Sequence, residues 1–319
     1  MTWRVLVSAP YFLPVIEDFN EHLKTKGVEL VAARVEERLS EEELLKVIGD
    51  IDGIICGDDR ITERVLDAAP RLKVISKWGT GIDSIDSEAA GQRGIFVYRT
   101  PNAFSEPVAD TVLGYMLTFA RKLSWMDRDI RAGRWEKPNL VSLRECVLGV
   151  IGVGDCGKAV VRRAKAFGMR IVGNDIVKMP EDFIVETGIE MMSLEELLTI
   201  ADFVSLNPDL NSTSLHLIGK KQLALMKPIA YLINASRGPI IDEPELIKAL
   251  QEQQLAGAAL DVFEEEPLPT DSPLRQLDNC LLAPHNANSS PIAWTRVHEN
   301  TVNNLLEGLG VGGDLHGQS

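Results

Sequence analysis

The chain has 319 residues, with 33 Lys+Arg against 47 Asp+Glu, a formal net charge of -14, 45% hydrophobic and only 6% aromatic residues. That is length enough for two domains. An acidic chain lacks the cation excess that neutralises phosphate backbones or anionic lipid heads, so neither nucleic acid nor a membrane surface is an expected partner. No stretch approaches the ~20 consecutive apolar residues of a membrane span, and the start, Trp3-Arg4-Val5-Leu6-Val7-Ser8, alternates like a strand and lacks the apolar core and cleavage site of a secretion signal. A cytoplasmic protein is expected. Cys56, Cys146, Cys156 and Cys280 form no CxxC pair and have no His at ligand spacing, which predicts buried free thiols and no metal site.

In chain order, short apolar runs alternate with helix-period stretches. Val5-Leu6-Val7, Leu30-Val31-Ala32, Ile54-Ile55-Cys56, Val74-Ile75-Ser76 and Ile95-Phe96-Val97 read as strands. Between them, 41–48 reads as a one-sided helix with Leu44, Leu45 and Ile48 apolar, Ser40 as its N-cap and Glu43 completing a capping box. A long helical stretch runs over 105–135, broken at Gly133. Strand-like runs then resume at Val147 to Ile151, Arg170-Ile171-Val172, Phe203 to Leu206, Tyr231-Leu232-Ile233, Gly257 to Leu260 and Cys280-Leu281-Leu282. Alternation of this kind implies βαβ units on parallel sheets, here in two α/β lobes. A last helix is expected over 291–309, with Ile292, Val297, Val302, Leu305 and Leu306 apolar, before a frayed end from Gly310.

Directly after the run ending at Ile151 stands Gly152-Val153-Gly154-Asp155-Cys156-Gly157, followed by a helical segment with Val160, Val161, Ala164 and Phe167 on one face. In such a turn the first glycine permits the tight bend, the second lets a pyrophosphate approach the backbone, and the third lets helix and strand pack closely. The free N–H groups at the helix start then hold the phosphates. Asp175, at the end of the next run, is placed to accept hydrogen bonds from the adenosine ribose and to repel a 2′-phosphate, so NAD is expected in preference to NADP.

A dinucleotide enzyme also needs a proton donor for the oxygen of the substrate. None of Tyr11, Tyr98, Tyr115 and Tyr231 has Lys four residues on, which removes Tyr-x-x-x-Lys chemistry and leaves His22, His216, His285, His298 and His316. His285 follows the last apolar run, at a Pro284 turn. Two other strand ends carry Asn234-Ala235-Ser236-Arg237-Gly238 and Asp261-Val262-Phe263-Glu264-Glu265-Glu266-Pro267. An Arg, an acidic cluster and a His at successive strand ends can converge where open α/β sheets bind ligands.

With Gly79-Thr80-Gly81-Ile82-Asp83-Ser84-Ile85-Asp86, Ser105-Glu106-Pro107-Val108-Ala109-Asp110 and Met226-Lys227-Pro228, these motifs resemble the NAD-dependent D-2-hydroxyacid dehydrogenase family over about 52–298. The resemblance implies a Rossmann dinucleotide-binding domain, 100–287, inserted into a flavodoxin-like substrate-binding domain of 1–99 plus 288–319. It also implies an arm at about 105–145 that embraces a second subunit, and hence a homodimer. The catalytic trio falls on Arg237, Glu266 and His285, leaving Glu264 and Glu265 as surface charges. Trp78, Gly79, Thr80 and Gly81, with Arg237, would contact substrate. Thr80, Asn207, Pro208, Ala235, Ser236, Asp261, His285 and Ala287 would join Gly152, Gly154, Asp155, Cys156, Gly157 and Asp175 around the cofactor. Arg237 would grip the substrate carboxylate, His285 would exchange a proton with the C2 oxygen, and Glu266 would raise the histidine's pKa.

The chain departs from the family at Asn207, where many members have His, at Asp155-Cys156, whose carboxylate faces the pyrophosphate, and at Asn286-Ala287-Asn288. Substrates similar to hydroxypyruvate, glyoxylate or 3-phosphoglycerate are expected. For a phosphorylated substrate the loop Gly57-Asp58-Asp59 offers only Arg60, helped by Arg131, Arg134 and Lys137 of a neighbouring subunit. The alternative is a non-enzymatic NAD(H)-sensing dimer of corepressor type.

Overall fold

The structure, a computed structural model, describes residues 2–312. Most of the expected frayed end, including His316, lies outside that span. The chain forms two compact units, one of residues 2–103 and 290–312, the other Phe104–Ser289.

In the first unit β1 (Trp3–Val7), β2 (Val28–Ala32), β3 (Gly53–Cys56), β4 (Val74–Lys77) and β5 (Phe96–Tyr98) are all parallel, in the order β2-β1-β3-β4-β5. This is the flavodoxin-like order. Strands β3 and β4 are buried along their whole length, which is why they read as unbroken apolar runs. Leu6, Ile54 and Ile75 enter a core with Leu44, Ile48, Val65, Leu66 and Ala89. The helix Pro291–Leu309 packs against β3 and β4, burying Val297, Val302, Leu305 and Leu306, while Ile292 in its first turn stays exposed. Ser40 and Glu43 form the expected capping box, but the helix runs only Glu41–Leu44 before a turn, with Ile48 opening a short 3-10 segment.

The second unit continues with β6 (Val147–Ile151), β7 (Arg170–Asn174), β8 (Glu190–Met191), β9 (Phe203–Leu206), β10 (Tyr231–Asn234), β11 (Gly257–Leu260) and β12 (Cys280–Leu282). All are parallel, in the order β12-β11-β10-β9-β6-β7-β8. The order reverses between β6 and β9, as in a Rossmann sheet extended by one edge strand. The two-residue edge strand β8 has no legible run in the sequence. Separate apolar cores cover the two faces, and each fully buried Leu, Ile or Val in them contributes roughly 1.5–3 kcal/mol.

The long helical stretch breaks elsewhere than expected. Helices Ser105–Arg121 and Leu123–Arg131 meet at Lys122, which takes the left-handed conformation at φ 50°, whereas Gly133 lies beyond the second helix. The break turns the chain so that Trp125 returns to within 5.7 Å of Phe119, itself stacked on Tyr231 at 4.3 Å. Aromatic packing thus offsets a left-handed lysine that costs roughly 1–2 kcal/mol. Phe167, expected on the buried face of its helix, is instead exposed at the C-cap. The four cysteines are free thiols, Cys56 and Cys146 buried and the other two half-buried, and burial raises the pKa of each, that of Cys280 to about 12.

In the first unit Trp78 Nε1 donates to His298 Nδ1 at 2.9 Å. Burial lowers the pKa of His298, so the folded ring holds its proton less well than the unfolded one. The sign follows: stability from this pair is complete above the unfolded value of about 6.5 and is lost as pH falls below it. We expect urea unfolding midpoints to drop between pH 7.5 and 5.5, and His298→Gln, which accepts the same bond without titrating, to flatten that drop.

Candidate active site

The turn after β6 is built around its glycines. Gly152 has φ 80° and lies against the loop after β9, where a Cβ would come within 2.6 Å of the Pro208 nitrogen. A Cβ on Gly157 would lie 2.1 Å from the Gly152 carbonyl oxygen, so only glycine lets the helix Asp155–Ala166 start this close to its strand. At Gly154 the opposite holds: a Cβ would meet nothing, leaving an open place above a helix N-terminus. Backbone amides facing open space are what a pyrophosphate needs, so this loop fits a dinucleotide. Asp155 occupies the first turn, favourable to the helix dipole but of the same sign as a phosphate. Cys156 is half-buried, with its thiol 3.8 Å from Ser105 Oγ. Asp175 accepts from Val153 N at 2.6 Å and from Val177 N at 2.7 Å, tying the end of β7 to the glycine turn. The Asn207 amide turns back on its own strand, donating to the Ser205 carbonyl at 3.2 Å.

Three loops at the carboxyl ends of β10, β11 and β12 are interlocked. Fully buried Asn234 donates to the Arg237 carbonyl at 2.8 Å and accepts from the Ser236 N–H and hydroxyl, which fixes the 235–237 turn. Arg237 Nη1 donates to the Ser236 carbonyl at 2.9 Å. Gly238 presses on the next loop: a Cβ there would fall 1.9 Å from the Phe263 carbonyl carbon and oxygen. Asp261 is buried and accepts from Asn286 N at 3.0 Å and Ala287 N at 2.8 Å, while its carbonyl accepts from His285 N at 2.7 Å. Glu266 accepts from Phe263 N at 3.0 Å through one oxygen and lies 2.9 Å from His285 Nδ1 through the other. His285 itself has φ 50°.

Arg237, Glu266, His285 and Asp261 therefore sit on neighbouring loops of one sheet edge, as do the glycine turn and Pro208 further along it. In the first unit Trp78 is only 4% exposed and belongs to the core. Gly79, with φ 120°, accepts from Thr100 N at 2.8 Å, and Thr80 Oγ1 donates to the Thr100 carbonyl at 2.8 Å. Glu265 is exposed, but Glu264 is half-buried, pairs with His216 Nε2 at 2.9 Å and accepts from Glu243 N at 3.3 Å. It is a structural tie rather than a solvated charge. Asn234 closes its strand before a turn, a sequence signal for the Asx-type turn that its side chain makes here. Glu243, whose pKa burial raises, and His216 carry no local signal at all.

Residues 113–287 match the family model described as D-isomer specific 2-hydroxyacid dehydrogenase, NAD binding domain. Glyoxylate reductase of Korarchaeum cryptofilum is 40% identical over 274 residues, covering 84% of this chain and 82% of that protein. D-3-phosphoglycerate dehydrogenase of Methanocaldococcus jannaschii is 41% identical over 281 residues, covering 87% of this chain and 52% of that longer protein. The crystal structure of D-lactate dehydrogenase from Aquifex aeolicus, complexed with NAD and lactic acid, superposes with a TM-score of 0.85 at 28% identity, covering 99% of this chain and 100% of that one.

Removing the Asp261 carboxylate orphans two loop amides, at about 1–3 kcal/mol each. Asp261→Ala is expected to lower the thermal midpoint and to reduce kcat more than the KM for the oxo acid, as measured by melting and steady-state kinetics.

Proposed function

The chain belongs to the D-isomer specific 2-hydroxyacid dehydrogenase family, and from that premise we propose that it transfers a hydride between NAD(H) and C2 of a small 2-hydroxy or 2-oxo acid of D configuration. The observation that carries the reading is the 2.9 Å contact between His285 Nδ1 and Glu266, on the same sheet edge as the glycine turn. A carboxylate at Nδ1 holds the proton on that nitrogen and leaves Nε2 to exchange one with the substrate.

When bound, NADH supplies the hydride. Arg237, permanently charged, holds the substrate carboxylate and polarises the C2 carbonyl. His285 delivers its proton to the carbonyl oxygen, and in the reverse direction takes the hydroxyl proton. The turn of Gly79, Thr80 and Gly81 offers backbone N–H groups to the carboxylate. The amides around Gly154 hold the pyrophosphate, with Gly152, Asp155, Cys156, Gly157, Asn207 and Pro208 forming the surrounding loops. Thr80, Ala235, Ser236, Asp261 and Ala287 contribute toward the nicotinamide end. Asp175, pinned by two amides but with lone pairs to spare, accepts from the ribose hydroxyls and disfavours NADP. The protein works in the cytoplasm as a homodimer, which would cover the exposed apolar residues Leu123, Ile130, Trp135 and Val141.

His285→Gln is expected to abolish NADH oxidation with 2-oxo acids while NADH still binds by fluorescence titration; near-normal turnover would refute the assignment. Glu266→Gln removes the charge at Nδ1, and the pH profile of reduction should move to lower pH; an unchanged profile would remove Glu266 from the pair. Wild-type protein should prefer NADH to NADPH in kcat/KM, and Asp175→Ser should narrow that preference; an unaltered ratio would remove Asp175 from cofactor choice.

A further inference from the structure

A second set of ties joins the loops that carry Arg237 and Glu266, and it comes from outside both. The segment that follows β9 starts against the glycine turn at Pro208 and runs on to His216. There the main-chain N–H of His216 donates to the Pro239 carbonyl at 2.8 Å, two residues after Arg237. Its ring Nε2 lies 2.9 Å from Glu264, two residues before Glu266. One residue thus takes hold of both loops. Fully buried Ile218 fastens the segment just beyond, its N–H donating to the Ile240 carbonyl at 3.1 Å and its carbonyl accepting from Asp242 N at 3.0 Å.

The backbone marks this hold as specific. His216 has φ 49°, and of the five non-glycine residues with positive φ among those described, it and His285 alone lie in loops of the second sheet's carboxyl edge. Such a conformation persists only where the surroundings over-determine it, and it gathers at functional sites. A half-exposed His–carboxylate pair contributes little by itself. Here the pair belongs to a network: Glu264 also accepts from Glu243 N at 3.3 Å, and Glu243 accepts from Glu264 N at 3.1 Å in return. The side chains meeting His216 are acidic, with Glu243 at the start of the helix Glu243–Gln251 and Glu264, Glu265 and Glu266 along one loop, while Asp242 is occupied in capping that helix. Burial, together with the charges of Glu264, Glu265 and Glu266, raises the pKa of Glu243. A Cβ on Gly238 would fall 2.5 Å from Glu264 N, so the Arg237 and Glu266 loops have no slack between them.

We propose that His216 is a positioning residue: it holds Glu264, and through it the turn of Glu266, in register with the Arg237 loop, so that Glu266 stays at Nδ1 of His285. The proposal rests on the 2-hydroxyacid dehydrogenase reading above and adds to it a residue outside the trio. Glu266 reaches His285 through one oxygen, while its other oxygen accepts from the N–H of Phe263, the neighbour of Glu264. A displaced Glu264 therefore moves the anchor of Glu266 itself. Small misplacements of a reacting group are costly in rate.

The test compares wild type, His216→Ala, His216→Gln and Glu264→Ala in NADH-dependent reduction of glyoxylate, pyruvate and hydroxypyruvate, with NADH binding followed by fluorescence. His216→Ala should lower kcat by about tenfold or more and move the pH profile of reduction the same way as Glu266→Gln. KM for the oxo acid and NADH binding should stay close to wild type, because the Arg237 loop keeps its bond to the His216 main chain. His216→Gln, whose amide donates from a similar place, should restore kcat and the wild-type profile. Should His216→Ala fail to fold, Glu264→Ala carries the same expectation. An alanine variant that melts lower yet keeps the wild-type kcat and pH profile makes the tie a structural one and overturns the proposal alone, as does a Gln variant no better than the Ala one. Absence of wild-type turnover with all three acids overturns the underlying reading, and the positioning role with it.

Discussion

The carboxylate of Asp261 accepts the N–H groups of Asn286 and Ala287 while its own carbonyl accepts that of His285. Those three bonds hold the last strand-end loop to the one before it, and the rest of the sheet edge is arranged around them. His285 sits at φ 50°, a conformation that a non-glycine residue keeps only when its surroundings over-determine it. Asp261 does so from one side and Glu266 from the other. Gly238, with no room for a Cβ against Phe263, closes the remaining gap between the Arg237 and Glu266 loops. Three irregular loops are thereby tied to one another by hydrogen bonds and close contact, the preorganisation that the proposed proton-transfer role calls for.

Electrostatics at this edge are local. A chain of net charge -14 gives anionic substrates and cofactors no general attraction. On the function proposed above, binding comes from fixed donors: the amides around Gly154, the positive end of the helix that follows, and the guanidinium of Arg237. Carboxylates close to these donors are mostly committed to backbone N–H groups, as Asp175 and Asp261 are, which spends their charge on holding loops in place.

Much of this was legible in the sequence because the relevant signals are local. Strands buried on both faces read as apolar runs, and Gly152, Gly154 and Gly157 stand between a strand and a helix in the order that phosphate binding demands. Arg237, Glu266 and His285 each follow such a run, so topology alone brings them to one edge. Other features have no local signature. The Trp78–His298 bond joins residues on β4's loop and the final helix, and Glu264 looks like its solvated neighbour Glu265 until His216 and Glu243 are folded against it. Lys122 breaks the long helix because Trp125 and Phe119 pack together, whereas propensity favours a break at Gly133. Asp261 could be placed at the edge from its position, but its grip on two amides depends on where the following loop turns.

The central claim, that Glu266 fixes the proton of His285 on Nδ1 and leaves Nε2 for the substrate, is tested most directly by 15N NMR of the labelled imidazole. In the neutral ring the account predicts a protonated Nδ1 and a bare Nε2 in the wild type, with that preference weakened in Glu266→Gln. A ring protonated on Nε2, or a tautomer indifferent to Glu266→Gln, would contradict it.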